Sequence, residues 1–551
     1  MNPYVALLSC TLVLTGSAGL AQNTVGLISY DPALSYEGYT MVYPVGQGTV
    51  YLLNNCGQVV QAWPDTAHFA SNSARLMDDG TMQRLAITPG YVSPMMAGGG
   101  GQYVQRKAWD NTITWMWEYS DATVRAHHDA CVLPNGNTLV VAWEWKTAQE
   151  AWDAGRDTTG FGYTSVWPDH IVEVEPSGLN TGNIVWEWHA WDHLVQDFNP
   201  LADNFGVPAD HPELIDINYD EALNPDWMHI NYIEYNPVLD QIVMSVPHFN
   251  ELWVIDHSTT TAEAVGHTGG NSGRGGDLLY RWGNPLTYRL GTALDQKLNF
   301  NHGTAWVDKE AQWGDPNFGR IIVFNNRLGA ASSAVDIIDT PVDSAGHYAY
   351  QQGTIYGPAA HSWRYEGDPP PTFFSSGLSN AQVLPNGNVL ICSGRQGRLF
   401  EVDTAGTVVW EYENPVVSGQ SVAQGTVPPA LGNQLFHTGR YSPDHPGLQG
   451  HLLDPIGYIE LSPDTDFCNM PMALAPPVEE DVLTCLVQGD VLVVLGLGSV
   501  AGYDLYDATG RAITSGTLRT DRDGVALSGL GTGVYVLRLH GHGVLRFALQ
   551  R

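Results

Sequence analysis

Internal repetition constrains the fold of this chain more than any other feature of its sequence. The phrase LPNGN occurs at 133–137 and again at 384–388, and each copy leads into a run rich in β-branched residues. YNPVLDQIVMSV, DPNFGRIIVF and the degenerate RLMDDGTMQRLAI repeat the same order of a turn followed by a strand. Asn-Gly and Asp-Gly pairs between apolar runs are typical of tight β-hairpins. The repeats therefore predict an all-β chain built from similar antiparallel units.

Tryptophan-centred segments accompany these hairpins and favour a ring of blades. They recur at 115–119, 185–189, 279–285, 363–365 and 409–415. Four-stranded units repeated around one axis form a β-propeller, and the number of copies predicts about six blades over residues 22–470. An array of β-sandwiches is the alternative.

The amino-acid composition disfavours some classes of binding partner. The net charge of -34 disfavours nucleic acids and anionic membranes, because both are polyanions. Hydrophobic residues make up 43% of the chain and 18 are Trp, which supplies a large core, while a charged fraction of 15% excludes a highly charged disordered chain. No segment offers 18 consecutive apolar residues, so we expect no membrane-spanning helix.

The first residues resemble an export signal. An apolar run at 5–14 is followed by small residues at Gly19 and Ala21, which fits cleavage before Gln22. The segment before the run lacks Lys and Arg, and a buried strand is the alternative. We predict a signal peptide at 1–21, and hence a secreted or surface-attached protein.

The cysteines suggest no structural metal centre, since CxxC is absent. Five cysteines remain after the predicted cleavage. Cys468 and Cys485 could form a disulfide, or they could remain isolated buried thiols.

The C-terminal part reads as a separate domain. A Pro- and Ala-rich linker is predicted at 471–480, and 481–551 contains four short strand phrases that predict a small immunoglobulin-like β-sandwich. It resembles the type IX secretion sorting domain of Bacteroidetes in its LYD-x-x-GR phrase at 505–511 and its GVY strand at 533–535. This resemblance implies the type IX secretion machinery as a partner; an unrelated immunoglobulin-like module is the alternative.

Histidines recur at one position of the repeat. His128 stands five residues before the first LPNGN, and His229 and His302 hold similar places in the next two units. Ser379 stands in this position before the second LPNGN, and Ser71 in the degenerate first copy. Equivalent positions of propeller blades surround one axis, so we expect the three histidines to converge. A lone histidine in a strand is more often structural.

Such a cluster could perform nucleophilic or acid–base chemistry on an anion. Neutral imidazole is a nucleophile or base, and a nearby Arg327 could present its planar fork to sulfate or phosphate oxygens. A zinc or iron site formed by the three histidines and Asp129 is the rival interpretation. We rank it second, because no HExxH or short HxH motif is present, and we predict no metal and no cofactor.

Residues from about 105 to 460 resemble the bacterial arylsulfate sulfotransferase family of six-bladed propellers. The phrases that carry the resemblance include HHDACVLPNGNTLVVAWEW, DWMHINYIEYNPVLDQIVMS, GGDLLYRWGNPLTY and SNAQVLPNGNVLICSG. The family implies transfer of a sulfuryl group from a phenolic ester to a phenol through a covalent histidine. The absence of a Gly-rich phosphate loop agrees with a donor that is not a nucleotide.

The resemblance assigns roles residue by residue. His229 and Asn231 match the DW-x-H-x-N phrase, His302 matches the next family histidine, and Arg327 matches an arginine after the F-[DN]-N strand. The covalent histidine of the family should stand at Ser379, which is the main departure. The candidates for the missing nucleophile are His128, His361 and His437. His437 also lies near Arg440 in FHTGRY, a pair suited to an anion.

The sequence thus predicts a secreted arylsulfotransferase with a phenolic sulfate donor and a phenol acceptor. The expected catalytic residues are His229, His302, Arg327 and His128, and the expected substrate-binding residues are Asn231, His437, Arg440 and Ser379. An aryl-sulfate hydrolase on the same fold and a noncatalytic ligand-binding propeller are the alternatives. A monomer is the default expectation, since no coiled-coil heptad is present.

Overall fold

The computed structural model describes residues 23–469, apart from 158, 160–161, 220–223 and 368–372. It also describes 484–488, 490–495, 500–507, 511–519, 523–539 and 543–549. The chain divides into two compact units, at 1–468 and 469–551. The predicted signal peptide at 1–21 and the predicted linker at 471–480 lie outside the described residues.

Helices are few and short. The described α-helices are Ala148–Asp153 and Thr261–Ala264. Each begins with a capping box at its N-terminus, formed by Thr147 with Glu150 and by Thr260 with Glu263. Single 3₁₀ turns occur at Ala190–His193, Pro208–Asp210, Pro285–Tyr288, Gly394–Gln396, Pro446–Leu448 and Phe467–Asn469. None of the helices in the described ranges is long and apolar enough to cross a membrane.

Apart from these short helices, the regular secondary structure described in the first unit consists of β-strands, which confirms the all-β prediction. Six antiparallel sheets of four or five strands follow one another along the chain. Sheet 1 contains Phe69–Leu76, Met82–Ile87, Tyr103–Lys107 and Ile113–Glu118. Sheet 2 contains Val124–Val132, Thr138–Glu144, Asp169–Gly178 and Thr181–His189. Sheet 3 contains Tyr232–Asn236, Gln241–Val246, Glu251–Asp256 and Tyr280–Trp282.

The last two sheets join the two ends of this unit. Sheet 4 contains His302–Trp306, Arg320–Gly329, Ser332–Asp339 and Trp363–Tyr365. Sheet 5 contains Asn380–Val383, Val389–Ser393, Arg398–Val402 and Val408–Glu413, and Gly26–Tyr30 adds a fifth strand. Sheet 6 combines Tyr39–Val42, Val50–Leu53 and Val59–Trp63 with Gly439–Tyr441 from the far end of the unit. Minor two-stranded pairs are Lys146–Thr147 with Ser165–Val166, Leu194–Val195 with Ile215–Asp216, and Val416–Val417 with Gln420–Ser421.

The LPNGN turns form the hairpins that the sequence predicts. The Leu133 amide donates to the Asn137 carbonyl at 2.9 Å, and the second copy repeats this bond between Leu384 and Asn388 at 2.8 Å. Gly136 and Gly387 have φ angles of +87° and +88°, a region that glycine enters without strain. The turn residues therefore set the register of the first two strands of sheets 2 and 5.

Hydrogen bonds connect neighbouring sheets, and most of them involve the first strand of a sheet. The buried Asp129 carboxylate of sheet 2 accepts from Arg75 of sheet 1 at 2.6 Å and from the Ile233 amide of sheet 3 at 3.1 Å. Further links between successive sheets are Trp306 N to Glu234, Asn326 Nδ2 to Leu378 O, Thr438 N to Asn380, and Leu76 N to the Tyr441 hydroxyl. These bonds run from sheet 1 through sheet 6 and return to sheet 1.

Arg440 stabilises the junction between sheets 5 and 6. Its side chain is fully buried, and it forms an ion pair with the equally buried Glu401. It also donates to the Thr40 hydroxyl at 2.9 Å, and its guanidinium lies 4.4 Å from the centre of the Trp410 ring. The Arg440 Nε and Nη1 groups are thus engaged within the core, whereas its buried Nη2 has no hydrogen-bond partner among the described residues. The expected role of Arg440 in binding substrate stays a prediction.

One disulfide joins distant parts of the chain. Cys56 pairs with Cys468, which is 412 residues away in the sequence. Cys131 and Cys392 are buried free thiols. Neither alternative considered for Cys468 holds, a disulfide with Cys485 or an isolated thiol, because the Cys468 sulfur is bonded to Cys56.

The second unit contains two antiparallel sheets. One contains Thr484–Gln488, Val491–Leu495 and Gly524–Ala526, and the other contains Ala512–Leu518, Ala501–Asp507, Gly533–Leu539 and Gly543–Leu549. Leu492 of the first sheet shares a buried apolar cluster with Leu505 and Leu537 of the second. The two sheets thus have a common core.

Removal of the Arg440 charge should destabilise the first unit. We expect Arg440→Met to lower the free energy of unfolding by about 3–5 kcal/mol, because it leaves the Glu401 carboxylate buried without its partner. Tryptophan fluorescence during urea unfolding of the full chain measures this, since all 18 Trp residues lie between 63 and 410. Arg320→Met, which breaks a pair with the exposed Asp339, is the control and should cost less than about 1 kcal/mol. Equal effects of the two substitutions would contradict the assignment.

Candidate active site

Three histidines meet in one cluster: His128 comes from sheet 2, His229 from the segment before sheet 3 and His302 from sheet 4. The His128 and His229 rings have centroids 4.4 Å apart. The Phe436 ring lies 5.7 Å from His128 and 6.4 Å from His302, and so connects the third histidine to the other two. His128 and His302 are 3% and 2% exposed. The structure therefore brings together the three histidines that the repeat singled out.

An unusual backbone conformation marks the shared position. His128 and His229 have φ angles of +54° and +60°, and Ser379 and Asn72 have +91° and +76° at the corresponding places of sheets 5 and 1. Asn72, and not Ser71 as the sequence suggested, therefore holds this position in sheet 1. A left-handed conformation is uncommon for residues other than glycine, and such residues cluster at functional sites. In sheet 4 this position belongs to Gly303, at +58°, and not to His302. His302 is thus one residue before the repeat position, and it corresponds in the chain to His127.

His229 forms an ion pair with Asp226, three residues before it. The His229 Nδ1 is hydrogen-bonded to the Asp226 carboxylate, whose other oxygen accepts from Trp143 Nε1 at 2.9 Å. Burial opposes a charge on His229, but the Asp226 carboxylate outweighs burial and raises the pKa of His229. Burial likewise opposes the charge of Asp226, and His229 lowers the Asp226 pKa despite it. The pair therefore favours the imidazolium form of His229 in the cluster.

His302 is neutral and its tautomer is fixed. The Asn326 amide nitrogen donates to the Ser375 and Leu378 carbonyls, so the Asn326 oxygen faces His302 Nδ1 at 2.8 Å as an acceptor. Nδ1 must therefore carry the proton, which leaves the lone pair on Nε2. Burial, reinforced by the charge of His229, lowers the pKa of His302 to about 3. His302 is accordingly a neutral base or nucleophile.

His128 is paired with its neighbour in the sequence. The Nδ1 atoms of His127 and His128 lie 2.8 Å apart, so the two rings share one proton. His127 Nε2 lies 2.6 Å from an Asp169 oxygen, but the two atoms are not oriented for a hydrogen bond. Burial, and then the charge of His229, lowers the pKa of His128 well below its usual range. His128 is therefore neutral beside the His229 imidazolium.

A glycine segment at 98–101 covers His128 and His229. The His128 amide donates to the Gly99 carbonyl at 2.8 Å, and the Ser71 hydroxyl donates to the Gly100 carbonyl at 3.0 Å. A Cβ atom on Gly99 would overlap the His128 imidazole, and one on Gly98 would come within 3.8 Å of His229 Cε1. At position 99, therefore, only glycine allows the backbone to approach the His128 ring so closely, whereas the contact at position 98 is an ordinary van der Waals distance. The glycine run is visible in the sequence, but nothing near it indicates this contact.

Two arginines lie on the His302 side of the cluster. The exposed Arg327 guanidinium stacks 3.7 Å from the centre of the Phe300 ring, which in turn lies 5.5 Å from His302. Burial, and then the nearby charge of Arg395, lowers the pKa of Arg327. The Arg395 Nε is buried, and among the described residues it has no hydrogen-bond partner. Repulsion between two guanidinium groups would be relieved by an anion between them.

Ser379 and Asn231 have structural roles in the described fold. Ser379 Oγ donates to the Ser375 hydroxyl and accepts from the Gly394 amide, both at 2.9 Å. Asn231 is fully buried and donates to the Asn301 carbonyl at 3.0 Å, linking sheet 3 to the segment before sheet 4. Ser379 thus stands where the family pattern has its covalent histidine, and its hydroxyl is engaged in hydrogen bonds within a turn.

His437 and His361 lie apart from the three histidines. His437 is buried near Arg75 and Asp129, and burial lowers its pKa to about 4. Its Nε2 lies 3.3 Å from the Ala74 carbonyl, and its ring is 5.9 Å from that of Tyr232. His361 is partly exposed, with Nδ1 3.9 Å from the Asp336 carboxylate.

The carboxylate of the cluster is not the one that the sequence suggested. Asp129 pairs with Arg75, whereas Asp226 lies against His229. Together with His248, whose ring stacks on His229 at 4.8 Å, Asp226 and His229 form a group whose ligand atoms could hold a metal ion. His248 was not predicted, since it stands in a loop phrase, VPHFNE, with no repeat counterpart.

Comparison with known proteins agrees with the histidine cluster. The model of the family described as Arylsulfotransferase (ASST) matches residues 101–409, more than half of the chain. The chain belongs to the arylsulfotransferase family. The match includes His128, His229, His302 and Arg327. Membership implies an aryl sulfate donor and a phenol acceptor.

Similarity to solved structures is weaker. A protein of unknown function from Bacteroides caccae is 13% identical, with a TM-score of 0.38, 69% of this chain covered and 95% of the other. A candidate 6-phosphogluconolactonase from Bacteroides fragilis is 11% identical, with a TM-score of 0.34 and coverages of 74% and 99%. A virginiamycin B lyase from Staphylococcus aureus is 8% identical, with a TM-score of 0.30 and coverages of 71% and 88%. No curated protein matches the chain.

Neutralising Asp226 should lower the pKa of His229. In Asp226→Asn the charge that outweighs burial is gone, so we expect the His229 pKa to fall from above its usual value to below it. The imidazolium would then lose its proton at lower pH than in the unchanged protein. Histidine Cε1 chemical shifts, followed by NMR across the pH range, measure this. Asp343→Asn, at an exposed loop, is the control, and an unchanged His229 pKa in Asp226→Asn would contradict the assigned cause.

Proposed function

We propose that this chain transfers a sulfuryl group from an aryl sulfate to a phenol at the cluster of His128, His229 and His302. One observation carries the proposal: a charged and a neutral imidazole lie together within the arylsulfotransferase match, beside two arginines. A neutral imidazole can attack sulfur, an imidazolium can protonate the leaving phenolate, and guanidinium groups can bind sulfuryl oxygens.

The six sheets are, in this proposal, the blades of a closed six-bladed propeller. The hydrogen bonds between successive sheets support it, including the bond from Leu76 of sheet 1 to Tyr441 of sheet 6. The second unit is proposed to be an immunoglobulin-like type IX sorting domain. With the signal peptide at 1–21, it would direct a monomeric protein to the cell surface or the medium.

In the first step His302 Nε2 attacks the sulfur atom. The bond between sulfur and the aryl oxygen breaks, and its electron pair leaves with the phenolate. The His229 imidazolium protonates that oxygen and becomes neutral, while Asp226 keeps its Nδ1 proton oriented. Arg327 and Arg395 hold the sulfuryl oxygens, so that the negative charge in the transition state faces fixed positive charges. The product is a sulfuryl group on His302 and a free phenol.

In the second step the acceptor phenol enters beside the same aromatic rings. Neutral His229 removes its proton, and the phenolate oxygen attacks the sulfur atom. The bond between sulfur and His302 Nε2 breaks, and the electron pair returns to Nε2. Phe300 and Phe436 border the cluster and suit two flat phenols in turn.

His128 is the other candidate for the nucleophile. It has the repeat position in its favour, and it is neutral. His302 is preferred because Asn326 fixes its tautomer, whereas the His128 Nδ1 shares a proton with His127 and its other side faces Gly99. The two assignments differ in whether the sulfuryl group of the intermediate is bonded to His302 or to His128.

A noncatalytic ligand-binding propeller is the second candidate function. The observation that favours it is Ser379, which stands where the family has its covalent histidine and whose hydroxyl is engaged with Ser375 and Gly394. Hydrolysis of the aryl sulfate, with water in place of the phenol, remains a possible outcome of the test below.

Replacement of the clustered histidines should abolish transfer. The full chain is incubated with a chromogenic aryl sulfate, with and without excess phenol, and release of the coloured phenol is recorded. We expect phenol-dependent release, and a loss of about 10²–10⁴-fold in His229→Gln, because the general acid and base is gone. His302→Gln should show no release, and His361→Gln, outside the cluster, should behave like the unchanged protein.

Mass spectrometry of the protein quenched with donor alone locates the intermediate. A sulfuryl group on the peptide with His302 supports the preferred mechanism, and one on the peptide with His128 moves the nucleophile there. Release that does not depend on phenol would make the protein a hydrolase. A folded protein without release over a wide range of donors would contradict both enzymes and favour the binding propeller.

A further inference from the structure

A second group of histidines lies in a cleft away from the cluster described above. The cleft has a volume of about 680 Å³ and is bordered by the carboxylates of Asp153, Asp192, Asp203 and Glu213. His267 and Asp277 line it as well, and the buried His193 lies behind them. His267 and Asp277 belong to the Gly-rich loop that connects the third and fourth strands of sheet 3.

Two imidazoles converge on one carboxylate oxygen there. Asp277 Oδ1 lies 2.8 Å from His193 Nδ1 and 2.7 Å from His267 Nδ1. The side chain of His193 has no exposure, that of Asp277 has 8%, and that of His267 has 60%. Two nitrogens and one oxygen thus face one another at the edge of an open cleft.

The remaining contact of His193 determines where its proton lies. His193 Nε2 is 2.8 Å from the Ala264 carbonyl, which can only accept. Nε2 therefore carries a proton, and in a neutral ring Nδ1 presents its lone pair to Asp277 Oδ1. Two acceptors at 2.8 Å repel each other unless a positive charge lies between them. That charge is either a proton, on His193 or on the Asp277 carboxyl, or a metal ion.

We propose that His193, His267 and Asp277 bind a zinc ion. Two imidazole nitrogens and a carboxylate oxygen suit zinc, and the cleft leaves a fourth position open to water. Ligand atoms on a tetrahedral zinc ion lie roughly 3.3 Å apart, somewhat more than the present distances. The exposed His267, on its glycine-rich loop, is the ligand that moves to admit the ion.

The surroundings of His193 support a built site. A carbonyl that accepts from the outer nitrogen of a ligating histidine fixes its ring and tautomer, and the capped helix Thr261–Ala264 supplies that carbonyl. A Cβ atom on Gly276 would press on His193 Nε2, so glycine is needed beside the ring. Trp188 stacks parallel to His193 at 5.9 Å and donates to the Gly276 carbonyl at 2.7 Å. The surrounding carboxylates would attract a cation to the cleft.

Metal titration of the full-length chain tests the proposal. The protein is stripped with a chelator, and Zn²⁺ binding is measured by calorimetry and elemental analysis. We expect one ion per chain, bound at least about tenfold more weakly in His267→Ala, which removes an exposed ligand without disturbing the core. Co²⁺ in place of Zn²⁺ should give the intense visible absorption of a tetrahedral ion, and Asp277→Asn should weaken it.

Two control variants make the result specific. His211→Ala removes an exposed histidine of the same cleft, which pairs with Glu213, and it should bind Zn²⁺ normally. His248→Ala removes a histidine of the other cluster. Loss of the ion in His248→Ala but not in His267→Ala would overturn the proposal, because the metal would then lie with Asp226 and His229. Absence of stoichiometric binding, together with an NMR spectrum showing His193 protonated on both nitrogens, would assign the charge to a proton instead.

Discussion

The first strand of each of sheets 1 to 5, and Gly439–Tyr441 in sheet 6, has one edge without a strand partner, yet these strands are largely buried. Their polar groups must therefore find partners on the neighbouring sheet, because an unsatisfied buried amide or carbonyl is costly. Side chains supply them: Asp129 accepts from the Ile233 amide, Glu234 from the Trp306 amide, and Asn380 from the Thr438 amide. Each sheet thus positions the next, and the histidines at these strands inherit their positions from this set of bonds.

The difference in pKa among the three clustered histidines depends on which of them contacts a carboxylate. All three rings are buried, and burial alone would leave each of them neutral. Asp226 reverses this for His229, and the resulting imidazolium further suppresses protonation of His128 and His302. One carboxylate therefore gives similar side chains opposite roles. The same contrast would serve an anionic ligand, which needs both a cation and a lone pair.

The turn residues and the repeat positions predicted the hairpins and the meeting of His128, His229 and His302. Both signals can be recognised from short stretches of consecutive residues. Contacts between distant residues could not be predicted in this way. Nothing in the sequence pairs Cys56 with Cys468, couples Arg440 to Glu401, or brings Gly99 against His128. His302 also shows the limit of repeat alignment, since a bulge in its strand gives the shared position to Gly303. Ser379 fits the repeat but has its hydroxyl in a turn.

The composition of sheet 6 has a consequence for the order in which the molecule can assemble. Its strand Tyr39–Val42 is among the first to be synthesised, but it pairs on one side with Gly439–Tyr441. During synthesis the early strands must wait for nearly the whole unit to be made before that edge is covered. Pairing across such a separation is slow to form, and an open edge invites association with other chains. Completion of sheet 6 is therefore the step in which a nascent chain of this kind depends most on protection from association with other chains.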